Sequence, residues 1–137
     1  NPKLLLSELS DVRPAFGRGE AIDIDGDPLE IVLVKNPSGF RLALASYAVR
    51  PASTMIAIND NYADGRDMSW LWDVEFESLR SGSAEAGVAM VSGIRAYDMA
   101  LRLQYDDVTV SQVETDIPVA LETFLRRTKG VRRIYCT

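Results

Sequence analysis

Apolar positions along this chain switch repeatedly between alternate-residue spacing and helical spacing. Residues Lys3–Val12 carry the spacing of the end of a helix and run into the loop Arg13–Arg18. Glu20–Ile24 and Leu29–Lys35 then alternate or run apolar, joined by Asp25-Gly26-Asp27-Pro28. Asp-Gly supplies the positive φ of a tight turn, so the pair predicts a β-hairpin. Its second arm, rich in Ile, Val and Leu, predicts a strand covered on both faces. Asn36-Pro37-Ser38-Gly39 breaks that run, and Phe40–Ala48 predicts a short helix. Three strand–helix units follow. Thr54–Asn59 precedes a mostly helical Ser69–Leu79, Gly87–Val91 precedes the amphipathic helix Arg95–Tyr105, and Val108–Val113 precedes the helix Pro118–Arg127. Arg132–Cys136 reads as the last strand.

Repeated strand–helix–strand units imply an α/β fold: a mostly parallel, Rossmann-like sheet with flanking helices and right-handed crossovers. The hairpin adds one antiparallel edge strand. Residues 1–18 read as the end of a preceding region or a linker, and 19–137 as the α/β domain. In open sheets of this kind ligands gather at the carboxyl ends of the strands. Two unusual loops fall there, Lys35–Gly39 and Asn59–Asp67.

Composition narrows the classes. With 137 residues, 47% of them hydrophobic, the chain fits one domain with a real core. A formal net charge of −5 argues against a nucleic-acid partner. Arg126-Arg127 and Arg132-Arg133 straddle a turn and read as solvated surface rather than a phosphate track. The single cysteine, Cys136, excludes an internal disulfide and fits a reducing, cytoplasmic compartment. Apolar runs are strand-length, far short of the ~20 residues of a membrane span. The chain lacks an initiator Met and stops abruptly, so the expectation is a piece of a larger intracellular enzyme.

Candidate chemistry is limited by the count of histidines, which is zero. The domain alone therefore holds no complete Ser–His–Asp or Cys–His arrangement and no histidine for zinc, and no metal site is expected. Gly82–Gly87 has P-loop glycine spacing, but Val88 stands where the lysine must be, which makes it a surface turn. The densest polar cluster is Asn59–Asp67. It is a poor calcium loop, because Tyr62 takes the third position and Leu71 the twelfth. Two readings stand for its acids. Asp67 caps the helix-like stretch that follows, or the loop and the adjoining Ser69-Trp70-Leu71-Trp72-Asp73 form a rigidly seated functional surface.

Lys35-Asn36-Pro37-x-Gly39, Asn59-x-Asn61-x-Ala63-Asp64-Gly65-x-Asp67-x-Ser69-Trp70-x-Trp72-Asp73 and Phe76-Glu77 resemble the MurT carboxy-terminal domain family. Gly93-x-Arg95, Arg102-Leu103 and the upstream Phe16-Gly17-Arg18-x-Glu20 fit as well, so the resemblance spans essentially the whole chain. It implies a Mur ligase C-terminal domain fold in the Mur-ligase-like subunit of lipid II isoglutaminyl synthase. That subunit binds ATP with Mg2+ and activates the D-glutamate α-carboxylate of lipid II as an acyl phosphate at the membrane surface. Its partner is GatD, a glutamine amidotransferase-like subunit that hydrolyses glutamine with a Cys–His pair and delivers ammonia.

In this family an aspartate of the ligase subunit completes the partner's triad in trans, and by motif position it corresponds to Asp67. Asp64, Asn59, Trp70 and Trp72 are then supporting or partner-interface residues, the tryptophans having core packing as their alternative role. Lys35 and Asn36 occupy a nucleotide-facing position in Mur ligases; the alternative is that Asn36-Pro37 simply ends a strand. The ATP loop and zinc-ribbon cysteines of the family belong to earlier parts of the full chain. The isolated domain is therefore expected to bind no cofactor and to be inactive. Two competing functions remain: a non-catalytic interaction domain, and a Mur-type ligase domain acting on another carboxylate.

Overall fold

The computed structural model describes residues 20–47, 50–59, 69–80 and 87–137. The predicted helix Lys3–Val12, the loop after it and nearly all of Gly82–Gly87 lie outside the described residues. Strands β1 (Glu20–Ile24) and β2 (Asp27–Leu33) form the predicted hairpin. Both turn residues have positive φ, 51° at Asp25 and 92° at Gly26, as a two-residue turn with the native twist requires. Four further strands are β3 (Ser53–Ala57), β4 (Met90–Ser92), β5 (Val113–Glu114) and β6 (Arg132–Cys136). The sheet order is β1-β2-β6-β3-β4-β5. Among the described residues, β1 pairs with β2 antiparallel and the other strand pairs are parallel.

The order fixes where the helices go. Steps from β2 to β3, β4 and β5 all run one way across the sheet, and the return from β5 to β6 runs the other way. Right-handed crossovers therefore put the connections on opposite faces. Helices α1 (Pro37–Tyr47) and α2 (Ala96–Tyr105) cover one face, with Phe40, Leu44, Met99 and Leu103 packed on Val32, Ile56, Val91 and Tyr135. Helix α3 (Ile117–Arg127) covers the other, with Ala120, Leu121 and Phe124 on Leu29, Met55, Met90 and Ile134. Asp116 caps α3, its Oδ1 accepting from Val119 N–H at 3.2 Å.

Three elements depart from the sequence expectation. Helix α1 begins at Pro37, earlier than the predicted Phe40. The residues that end the strand also start the helix: Asn36 caps it and Pro37 fits its first turn. Ser69–Leu79 is two short 3-10 turns, Ser69–Asp73 and Glu77–Arg80, rather than mostly one helix. Side chains of α2 take backbone groups of this segment that a continuous helix would pair internally. The segment predicted as Val108–Val113 pairs with its neighbour only through the bridge Val88–Val110 and the two-residue β5.

Arg132 and Arg133 are buried rather than solvated. They open the central strand β6 on opposite faces, each under the carboxyl end of a helix, where backbone carbonyls lack partners. Arg132 donates to the carbonyls of Leu125 and Thr128 at the end of α3. Arg133 donates to those of Tyr47 and Arg50 at the end of α1, and to Glu30 at 3.0 Å. Arg126 and Arg127 are exposed as expected.

Candidate functional site at the carboxyl edge of the sheet

Parallel strands β2, β6, β3 and β4 all end on one edge, so the segments after them converge. After β2, Asn36 turns its Oδ1 onto Gly39 N–H at 2.7 Å, and its carbonyl accepts from Phe40 N–H at 3.0 Å. A Cβ at position 39 would lie 3.2 Å from that Oδ1, so glycine leaves room for the cap to close. The cap uses the amide oxygen of Asn36; the amide NH2 is the group it can offer a ligand. Lys35 beside it is exposed.

Asn59, at the end of β3, joins three strand ends. Its N–H donates to Thr137 Oγ1 at 3.0 Å beyond β6, and its Oδ1 accepts from Ile94 N–H at 3.1 Å beyond β4. The neighbouring backbone closes the same corner: Ile58 N–H donates to Ser92 O at 2.9 Å, and Arg95 N–H to Ile58 O at 2.9 Å. Gly93 makes this approach possible. Its φ is +96°, and a Cβ there would sit 2.2 Å from Ile58 O. Asp64 and Asp67 lie outside the described residues, between Asn59 and Ser69.

Beyond that stretch the chain is pinned by a buried guanidinium. Arg102 of α2 donates from Nε to Leu71 O at 3.0 Å and from a terminal nitrogen to Val74 O. Its other terminal nitrogen pairs with Asp106 Oδ1 at 2.9 Å. The guanidinium lies 5.1 Å from the Trp72 ring centre and 5.3 Å from that of Phe76. Asp106 receives Phe76 N–H at 2.8 Å on its second oxygen, and its carbonyl receives Arg80 Nε at 2.7 Å. From α1, Arg41 donates to Asp73 O at 2.7 Å.

Burial pushes the Asp106 carboxyl up, but the Arg102 hydrogen bond, the Phe76 amide and the charges of Arg102 and Arg80 outweigh it. The group is held below its ordinary value of 3.8.

Trp72 is not a core residue: it is 49% exposed, edge-on to Tyr105 at 4.9 Å. With Ile94, Tyr97 and Leu101 it belongs to the exposed apolar side chains on and beside α2. The side chain of Trp70 lies outside the described residues. An open groove of about 610 Å³ runs beside Tyr97, Leu101 and Val108, and a smaller one of about 330 Å³ lies between Phe124 and Met90. Neither is lined by Lys35, Asn36 or Asn59. No helix among the described residues is long and apolar enough to cross a membrane.

Of the candidate residues, then, Lys35, Asn36 and Asn59 stand at this edge, the first two after β2 and the third after β3, while Trp72 sits on the clamped turn. Arg102 and Asp106 were missed as site elements. A signal for them existed: Arg102 falls within the apolar stripe Ala96, Met99, Leu103, four residues before a carboxylate.

Comparison with known proteins gives the same direction. The family described as MurT ligase C-terminal matches residues 33–137. A lipid II isoglutaminyl synthase (glutamine-hydrolyzing) subunit MurT from Streptococcus pneumoniae is 36% identical over 94 residues, covering 67% of this chain and 21% of that protein. The subunit of the same name from Staphylococcus aureus strain COL is 41% identical over 90 residues, covering 64% and 20%. The chain thus spans about a fifth of the length of these relatives. Folylpolyglutamate synthase from Thermotoga maritima shares the fold, with a TM-score of 0.51 at 20% identity over 98% of this chain and 30% of that one.

Proposed function

The chain belongs to the MurT ligase C-terminal family, and from that premise we propose that it is the carboxy-terminal domain of the ligase subunit of a lipid II amidating enzyme. With a glutamine amidotransferase subunit of the GatD type, the full-length protein converts the D-glutamate α-carboxylate of lipid II to D-isoglutamine. The names of the two relatives support the reaction, since both are subunits of glutamine-hydrolyzing lipid II isoglutaminyl synthases. ATP with Mg2+ supplies the carboxylate activation, and this domain offers the Lys35 ammonium and the Asn36 amide NH2 toward the nucleotide. The enzyme works in the cytoplasm, at the membrane surface that holds its lipid substrate.

The observation that supports the reading is the anchorage of the described residues on either side of the acidic segment. Asn59 ties its start to two other strand ends, and Arg102 with Asp106 ties down the turn after it. A triad acid performs no proton transfer; it holds the imidazole in one tautomer and stabilises the imidazolium. It can therefore come from another subunit, provided a rigid scaffold presents it. This is how a histidine-free domain contributes Asp67 to its partner's Cys–His pair, with Asp64 shaping the loop.

Asp67→Asn in the full-length complex tests this. Glutamine hydrolysis should fall by about 10³–10⁴-fold while subunit association persists. Unchanged hydrolysis overturns the donated acid. Loss of association together with hydrolysis would favour the acidic loop as a docking element.

A further inference from the structure

We propose that the outer face of α2, together with Trp72, is the surface on which the amidotransferase subunit docks, and that it takes an apolar patch of that partner rimmed by lysine or arginine. This rests on the reading of the chain as a ligase subunit given above. Helix α2 carries two apolar stripes. Ala96, Met99 and Leu103 face the sheet. Tyr97, Leu101 and Tyr105 recur at every fourth position on the outward side, where a surface helix is ordinarily polar, and both tyrosines are 69% exposed.

Ile94 precedes this stripe by three positions, and Trp72 meets its far end edge-on at Tyr105. Five of the eight exposed large apolar side chains among the described residues thus gather on one face. The other three, Leu42, Val119 and Val131, lie on α1, on α3 and ahead of β6. Three aromatic rings and two aliphatic chains, each half or more in water, make a patch on the order of 500 Å², the upper range for a monomer. A standard interface takes about 800 Å² from each partner, an apolar core within a polar rim, and this patch has the size of such a core. The groove of about 610 Å³ between Tyr97–Gln104 and Asp107–Val110 runs along the stripe, so ridge and hole lie side by side. Trp72 is already held, with the Arg102 guanidinium 5.1 Å from its ring centre and Tyr105 against it, so little freedom is lost when a partner covers it.

Charge selects the occupant. Asp73, Glu75 and Glu77 on the clamped segment and Asp98 and Asp107 on and after α2 are exposed, and no exposed side chain from Ala96 to Ser111 is cationic. The exposed Arg41 and Arg80 are turned onto the carbonyls of Asp73 and Asp106. A second copy, itself of net charge −5, would set these acids against their own kind, whereas a partner with a basic rim is drawn to them. The nucleotide-facing residues Lys35 and Asn36 stand at the carboxyl edge of the sheet, while α2 runs back from that edge over about 15 Å. The stripe is therefore a surface separate from the one turned to the nucleotide. Both relatives are named as subunits of a synthase, which calls for such a second surface.

The test measures association of the full-length ligase subunit with its amidotransferase. Tyr97→Ser combined with Leu101→Ser should weaken it by about 100-fold, the scale of lost interface anchors. Leu42→Ser combined with Val119→Ser removes exposed apolar surface elsewhere and should leave the affinity within about threefold. Glu75→Lys combined with Glu77→Lys should slow association by about 10-fold at low salt, with the difference shrinking at high salt. All these side chains stand in water, so unfolding midpoints should stay near that of wild type.

Wild-type affinity in the Tyr97 and Leu101 double variant overturns the proposal and leaves the ligase reading standing. Failure of the unmodified subunit to bind the amidotransferase overturns both. Self-association of the ligase subunit through Tyr97 and Leu101 gives the face to a second copy, and loss of its stability in the absence of the amidotransferase gives it to the rest of its own chain; either result overturns the proposal. The unmodified complex supplies a readout that needs no variant. Tyr97 and Tyr105 should lose reactivity toward tyrosine iodination on association, and unchanged reactivity of both rings overturns the docking surface.

Discussion

Two buried arginines in this domain are built alike and serve different ends. Arg133 and Arg102 each donate to two backbone carbonyls, each pair with one carboxylate, and each lie within about 5 Å of an aromatic ring. Arg133 works between regular elements. Its carboxylate, Glu30, is its register partner across the parallel pair β2–β6, and its carbonyls close the end of α1 onto the central strand. Arg102 works on a segment that no ladder holds. The same chemistry that closes the fold at one place holds an irregular turn at the other. The difference lies in what depends on it: the whole sheet for Arg133, one irregular turn for Arg102.

Breaking each in turn should separate these roles. Arg133→Met should cost the most, about 3–5 kcal/mol in urea unfolding of the 137-residue chain, because it strands a buried carboxylate. Arg50, with its side chain 63% exposed and 3.3 Å from Glu30, is too solvated to replace it. Arg102→Met should cost less, about 2–3 kcal/mol, and its effect should be local. Protease should cleave within Ser69–Arg80 before the sheet unfolds; simultaneous loss of both would erase the contrast between the two arginines.

Asp106→Asn should be the mildest, about 1–2 kcal/mol at neutral pH, since the amide oxygen can still accept from Phe76. Its signature is in the acid limb. The Asp106 pKa is lowered in the fold, so its contribution is full above the ordinary value of 3.8 and is lost as pH falls through the lowered one. The gap in stability between wild type and Asp106→Asn should therefore narrow below about pH 4. A gap that stays constant down to pH 2 would mean the carboxylate charge contributes nothing.

Much of the fold was legible. The hairpin at Asp25-Gly26, the alternation of strands and helices, the antiparallel edge and the helix Arg95–Tyr105 follow from turn chemistry and spacing, which are local properties. The places of Asn36 and Asn59 were legible too: the chain leaves β2 and β3 on the carboxyl edge because parallel strands all end there. Asn36, Asn59 and Trp72 could be singled out by position, but not their contacts. That Asn36 spends its amide oxygen on Gly39, or that Asn59 meets Thr137 from 78 residues away, depends on how distant segments are brought together.

The arginines mark the boundary most clearly. A charged pair at Arg132-Arg133 looks solvated in one dimension, because charge is costly to bury without partners. The partners were helix-end carbonyls supplied by α1 and α3, which the sequence does not place. Ser69–Leu79 looked helical for the converse reason: its apolar spacing is helical, but its carbonyls and amides are claimed by Arg102 and Asp106 from another helix.

By itself the sequence determined the element order, the parallel sheet, the absence of histidine and the string that carries the family resemblance. Only the tertiary structure decided which charges are buried, which turn is clamped and where Gly93 lets β4 approach Ile58. The physical reason is range. Turns, periodicity and motifs act over a few residues, whereas desolvation and hydrogen bonding are settled by neighbours that only the completed fold provides.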